Sequence, residues 1–219
     1  RVLFRSLIIA GGISGGTGNS ISISAGTAAA VGTLSTVTLS APSGESTYTG
    51  TTGVIRGVLQ LGAADTLPKS TILDIDSASG VTDIATVDLN GFNQVVLGLQ
   101  DSATTSLNSV LTNTSTTPAM LTINNTADYV FDGVVTGAVG FIKQGTGKQT
   151  LNGANTNTGN TTVQGGTLSL ATASLADTSQ VLLFTGGLLD GDVFHTVQST
   201  IAAVTTRRFW PSAPCCAVV

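Results

Sequence analysis

Thr49-Gly50-Thr51-Thr52-Gly53-Val54-Ile55-Arg56-Gly57-Val58-Leu59-Gln60-Leu61 is answered 109 positions later by Thr158-Gly159-Asn160-Thr161-Thr162-Val163-Gln164-Gly165-Gly166-Thr167-Leu168-Ser169-Leu170. Val54 falls on Val163, Gly57 on Gly166, Leu59 on Leu168 and Leu61 on Leu170. The lead-in recurs as well. Thr38-Leu39-Ser40-Ala41 corresponds to Thr150-Leu151-Asn152-Gly153, with three more residues before Thr49-Gly50 in the first copy. Such a repeat outranks local propensity, because it means that the fold is assembled from like units.

The sequence around the two copies reads as strand after strand. Ser20-Ile21-Ser22-Ile23-Ser24, Ile72-Leu73-Asp74-Ile75-Asp76 and Thr86-Val87-Asp88-Leu89-Asn90 alternate as strands with one buried face do. Turn signals separate them: Asn90-Gly91, Asn124-Asn125, Asp132-Gly133, Asn152-Gly153 and Gly165-Gly166. Strands this short, with turns this frequent, predict an all-β chain and leave a sandwich, a barrel or a β-solenoid. The repeat selects the solenoid, in which each rung touches only its neighbours and a good rung can be copied. At roughly 20 to 25 residues per rung, the chain would hold about nine or ten rungs. Val54, Leu59, Leu61, Val163, Leu168 and Leu170 would point into the core, with Thr and Asn facing out or stacking at turns.

Composition agrees. Only 9% of the residues are charged, against roughly 25% in typical domains. Thr, Ser, Asn and Gln carry the polarity, and such uncharged groups stack on their own copies without repulsion. With 41% hydrophobic residues there is enough apolar surface to offset chain entropy, which argues against disorder. A net charge of -4 and the absence of a basic patch argue against nucleic acid as a partner. No apolar run approaches the ~20 residues of a membrane span, so no membrane insertion of this segment is expected. No secretory signal is readable, and the chain does not begin with Met.

Both ends differ from the middle. Arg1-Val2-Leu3-Phe4-Arg5-Ser6 equals one reading frame of a widely used sequencing adapter and is read as a scar, the alternative being an ordinary N-terminal strand. Residues 207–219 hold the only Trp and both Cys, and mark a boundary, a cap or a frame error. Residues 7–206 are then the β-helical segment, with repeats near 37–70 and 141–176. The adjacent Cys215 and Cys216 support no metal or redox motif.

Leu151-Asn152-Gly153-Ala154-Asn155-Thr156-Asn157-Thr158-Gly159-Asn160-Thr161-Thr162-Val163-Gln164-Gly165-Gly166-Thr167-Leu168 closely resembles the autotransporter-associated β-strand repeat. The lead-in Phe141-Ile142-Lys143-Gln144-Gly145-Thr146-Gly147-Lys148-Gln149-Thr150 fits the same pattern, as does the stretch Leu59 to Pro68 after the first copy. Val87-Asp88-Leu89-Asn90-Gly91-Phe92-Asn93-Gln94 resembles the phrase that commonly follows it. Two departures stand out: Ser40-Ala41-Pro42-Ser43-Gly44-Glu45 interrupts the first copy, and Arg56 stands where the second has Gly165. The resemblance implies a right-handed parallel β-helix, the passenger of a Gram-negative autotransporter exported through a C-terminal translocator β-barrel that is absent here. It also implies a location at the cell surface, attached to the outer membrane through that barrel, with a host or matrix surface ligand as a partner.

Chemistry is sparse. No catalytic, cofactor-binding or metal-ligating residue is assigned, and no cofactor is expected. The sole histidine, His195, lies in no nucleophile motif. Asp74, Asp76, Asp83 and Asp88 form the densest acidic run, and alternation places Asp74, Asp76 and Asp88 on the solvent side. Their convergence would define the alternative function, a polysaccharide-degrading β-helix enzyme, or would seed a Ca²⁺ site. Gly186-Gly187-Leu188-Leu189-Asp190-Gly191-Asp192 is one imperfect copy of a calcium-binding nonapeptide, and one copy is not an array. Three glycosylation sequons begin at Asn113, Asn124 and Asn160, at the rate chance gives in so Asn- and Thr-rich a chain. A ligand-binding module would need an exposed aromatic platform, and Tyr48, Phe92, Tyr129, Phe131, Phe141, Phe184 and Phe194 are few for that. The expected function is therefore a non-catalytic structural or adhesive stalk.

Overall fold

Leu59 and Leu61 alternate with Val58 and Gln60, and this phase decides which side of the strand meets the core. A computed structural model describes residues 6–24, 35–76, 84–102, 108–170 and 181–191. Every regular element among them is a strand, and the strands pair in parallel. Parallel neighbours require a long crossover. Here the crossover is the rest of one turn of a solenoid.

Three stacks of strands form the walls, and the chain visits them in a fixed cycle. Wall one runs through Ser6–Ile9, Thr36–Leu39, the second half of Thr52–Leu61, Ala85–Asp88, Ser109–Thr112 and Val134–Val135. Wall two runs through Gln94–Val96, Ala119–Asn124, Val139–Gln144, Thr161–Val163 and Val181–Leu183. Wall three begins with Ile21–Ser24, the first half of Thr52–Leu61, Ile72–Ile75 and Gly98–Gln100. It continues through Tyr129–Phe131, Lys148–Leu151, Gly166–Leu170 and Gly187–Gly191, joined by a bond from Asp101 N to Val130 O at 3.3 Å.

Side chains in phase with Leu59 fill the space between the walls. Val54, Leu59, Leu61, Val163 and Leu168 are all buried in one continuous core, as their alternation predicts. Leu170 packs against that core but is only partly buried. Buried amides close the turns. Asn125 Nδ2 donates to Ala127 O at 2.6 Å and to Lys148 O at 2.9 Å, on the following rung. Asn113 Nδ2 does the same for Thr117 O at 2.8 Å and Ala138 O at 3.1 Å. Uncharged polar groups also stack on the outside: Gln144 Nε2 donates to Gln164 Oε1 at 2.7 Å, and Thr136 to Thr112 at 3.0 Å.

The two repeat copies share one device, a strand that bends sharply and enters the next wall. Gly57 and Gly166 stand at the bends with φ of 93° and 63°, a region that other L-residues enter only with strain. The copies do not occupy the same corner, however. Residues 49–61 pass from wall three to wall one, pairing with Ile72–Ile75 and then Ala85–Asp88. Residues 158–170 pass from wall two to wall three, pairing with Val139–Gln144 and then Lys148–Leu151.

Among the described residues wall one stacks six strands and wall three eight, where nine or ten rungs were expected. Early turns are longer than the assumed repeat: Ser6 pairs with Thr36 and Ile21 with Thr52, whereas Phe141 pairs with Thr161 only 20 positions on. Insertions between strands, invisible to a count based on the compact repeat, consume the difference.

Candidate functional site

The acidic run tests whether the scaffold carries chemistry. Alternation correctly turns Asp74 away from its core neighbours Leu73 and Ile75, yet Asp74 and Asp88 are buried rather than solvent-facing. The correction has a simple cause. A side chain on the outer surface of a stacked rung is covered by polar groups of the next rung. Asp74 accepts from Gln100 Nε2 at 2.9 Å and Ser102 N at 3.1 Å. Asp76 accepts from Ser102 Oγ at 3.1 Å.

Asp88 is engaged most fully. One carboxylate oxygen accepts from Asn90 N at 2.9 Å and Thr114 N at 3.0 Å. The other accepts from Gln60 Nε2 at 3.2 Å and Thr114 Oγ1 at 2.6 Å. Asp74 and Asp76 belong to wall three and Asp88 to wall one, and among the described residues no three His, Cys, Asp or Glu side chains come together. The geometry that the polysaccharide-degrading alternative needed is missing from Asp74, Asp76 and Asp88. Asp83 and His195, with Asp192, Phe194, Cys215 and Cys216, lie outside the described residues.

Other sequence candidates resolve into architecture. Residues 187–191 form a strand of wall three, where Asp190 accepts from Ser169 Oγ at 3.4 Å. Asn113 is buried with its amide engaged, whereas Asn124 and Asn160 are exposed. Tyr48, Phe131 and Phe141 are buried, Phe92 and Tyr129 are half-buried, and Phe184 is exposed. These described aromatics make no platform.

Two titratable groups escaped the sequence reading. Lys143 is in phase with Phe141 and lies between Ile123 and Val163 in the inward column of wall two. Its ammonium reaches the corner and donates to Gln144 O, to Gly145 O at 3.2 Å and to Gly165 O at 3.2 Å. Burial lowers its pKa to about 8, opposed by the nearby charge of Asp128. The phase of Phe141-Ile142-Lys143 was the signal that could have placed it inside. Asp101 is raised to about 6, first by burial and then by the charge of Asp132, while the Asp132 N–H bond at 3.0 Å opposes the rise. Asn152 in turn bonds to Asp132, so the three form a short outward ladder on wall three.

Parallel walls, glycine corners, interior amides and carboxylates that tie rung to rung define a repeat-built β-solenoid scaffold. Residues 32–61 and 141–170, the two copies, match the family described as passenger-associated-transport-repeat. A stretch of 52 residues is 46% identical to the "Serine protease EspP" of Escherichia coli, covering 24% of this chain and 4% of that protein. The protein of the same name from Escherichia coli O157:H7 matches equally. The chain thus matches only a small part of these relatives. No solved structure matches it. The repeat-bearing segments thus resemble the repeats of an autotransporter passenger region.

Proposed function

We propose that this passenger region is a non-catalytic, adhesive stalk. In this reading it stands at the bacterial surface, linked to the outer membrane through the C-terminal translocator barrel of its parent protein. The observation that carries the reading is the use of polar side chains: Asp74, Asp88, Asn113 and Asn125 bond rung to rung and turn to turn. A protease activity belongs to EspP, of which this chain matches 4%. We read the shared portion as scaffold. The test is to place the chain between a secretory signal and a translocator barrel in a bacterium that lacks other adhesins. Surface labelling of intact cells, together with gain of adherence to matrix-coated plates, supports the stalk. Display without adherence removes the adhesive half, and hydrolysis of a polysaccharide or protein panel removes the non-catalytic half.

A further inference from the structure

The sequence holds two Asn-Gly pairs, Asn90-Gly91 and Asn152-Gly153. Such a pair carries a chemical hazard of its own. The glycine amide nitrogen can attack the asparagine side-chain carbonyl carbon and close a five-membered succinimide ring. The new N–C bond expels the side-chain nitrogen as ammonia, which leaves with the proton of the glycine amide. Water then opens the ring at either carbonyl. One product is aspartate, the other isoaspartate, with an extra methylene in the main chain.

Asn90 and Gly91 form the turn that follows Ala85–Asp88, closed by Phe92 N donating to Leu89 O at 2.8 Å. Their φ values, 48° and 85°, are those of a type I′ turn, in which Asn followed by Gly is favoured. A Cβ on Gly91 would in addition meet Ser115 Oγ at 2.9 Å. The turn therefore keeps the reactive pair, and a safeguard has to come from its neighbours.

Both reacting groups are held, and by opposite rungs. The leaving nitrogen, Asn90 Nδ2, donates to Leu61 O at 3.1 Å on the preceding rung. The nucleophile, Gly91 N, donates to Asn113 Oδ1 at 2.8 Å on the following one. We propose that Asn90 is a latent deamidation site and that Asn113 is its guard. An amide whose proton is held in a hydrogen bond is a poor nucleophile, and the same bond fixes the Gly91 peptide plane. Asn113 is buried, and its neighbours set which way its carboxamide faces. Oδ1 also accepts from Ser115 N at 3.3 Å, while Nδ2 serves Thr117 O and Ala138 O. A reversed carboxamide would set its N–H groups against two donors and its oxygen against two acceptors. Isoaspartate at position 90 would lengthen the main chain inside the turn and draw Gly91 N away from Asn113. One event would thus unlock the corner for good.

The purified 219-residue chain is incubated in mildly alkaline buffer, natively and unfolded in urea. Peptide mass mapping and enzymatic methylation of isoaspartate follow Asn90 and Asn152 separately. Asn90 is expected to react far more slowly in the native chain than in urea. Asn113→Ala removes the acceptor of Gly91 N and should raise the native rate at Asn90 about tenfold, the factor an ordinary hydrogen bond supplies, with Asn152 unchanged. Asn113→Asp loses the same amide donors but keeps an acceptor oxygen, and should leave Asn90 slow. Leu111→Ala, which empties buried space in the strand just before Asn113, weakens the fold without touching Gly91 N and should also leave Asn90 slow. Equal native and unfolded rates at Asn90 overturn the proposal. So does an acceleration by Asn113→Asp or Leu111→Ala that matches Asn113→Ala, or a rise of the same size at Asn152, because protection would then come from global stability.

Discussion

A methyl group on Gly166 would stand 2.4 Å from Gly147 O, on a backbone already at φ 63°. Gly166→Ala is therefore expected to cost about 2–3 kcal/mol, read from the urea midpoint. Gly165→Ala, where a Cβ meets Gly145 O at 3.2 Å, should cost much less, in keeping with Arg56 at the matching position of the first copy. Lys143 predicts a pH effect of definite sign. The native amine releases its proton near pH 8 and the unfolded one near 10.5, so between these values the unfolded chain holds more protons. Stability from this group rises with pH across that window, and Lys143→Met should remove the rise in thermal midpoints measured on either side of it. Asp101 works the other way. Its native carboxyl keeps a proton up to about pH 6, against 3.8 when unfolded, so its contribution to stability falls as pH rises between the two. Asp101→Asn should flatten that fall and raise the midpoint at neutral pH.

At the scale of a strand and its corner, Asp88 joins three successive rungs through Gln60, its own turn at Asn90, and Thr114. Asp88→Ala leaves these donors without an acceptor and should destabilise by roughly 2–4 kcal/mol. Hydrogen exchange should quicken first in Ala85–Asp88 and Ser109–Thr112, while Val139–Gln144 keeps its protection. How legible such features are in sequence depends on which neighbours create them. Alternation in Val58-Leu59-Gln60-Leu61 is local, and it placed Leu59 and Leu61 in the core; the shared Gly57 and Gly166 marked the bends. Burial of Asp74 and Asp88 comes from residues about a rung away, Gln100 and Thr114, which no local period reveals. The approach of residues 43–48 to residues 65–70 escaped for a related reason, since only whole turns bring these loops together. Lys143 was readable in principle, but a charged residue in an inward column is easily assigned to a solvated face.

Over the whole molecule, contacts run from each turn to its neighbours, so stability is close to a sum of rung and interface terms. Chemical denaturation of the purified chain should accordingly be broad, with exchange rates graded along the solenoid rather than uniform. Among the described residues, Ser6–Ile9 pairs on one side only, with Thr36–Leu39, and Leu7 and Ile8 are 45% and 67% exposed. Such an edge is a template for another strand. Light scattering on the 219-residue chain should show association that grows with concentration and weakens when Leu7 and Ile8 are both replaced by Lys. The placement of the two copies at different corners reaches further. A phrase that serves more than one vertex of the triangular section need not be inserted in whole turns. The column can be lengthened by part of a revolution, which changes the azimuth of every loop beyond the insertion. Length along the column and the compass direction of a given loop thus become separately adjustable, from a single stock phrase.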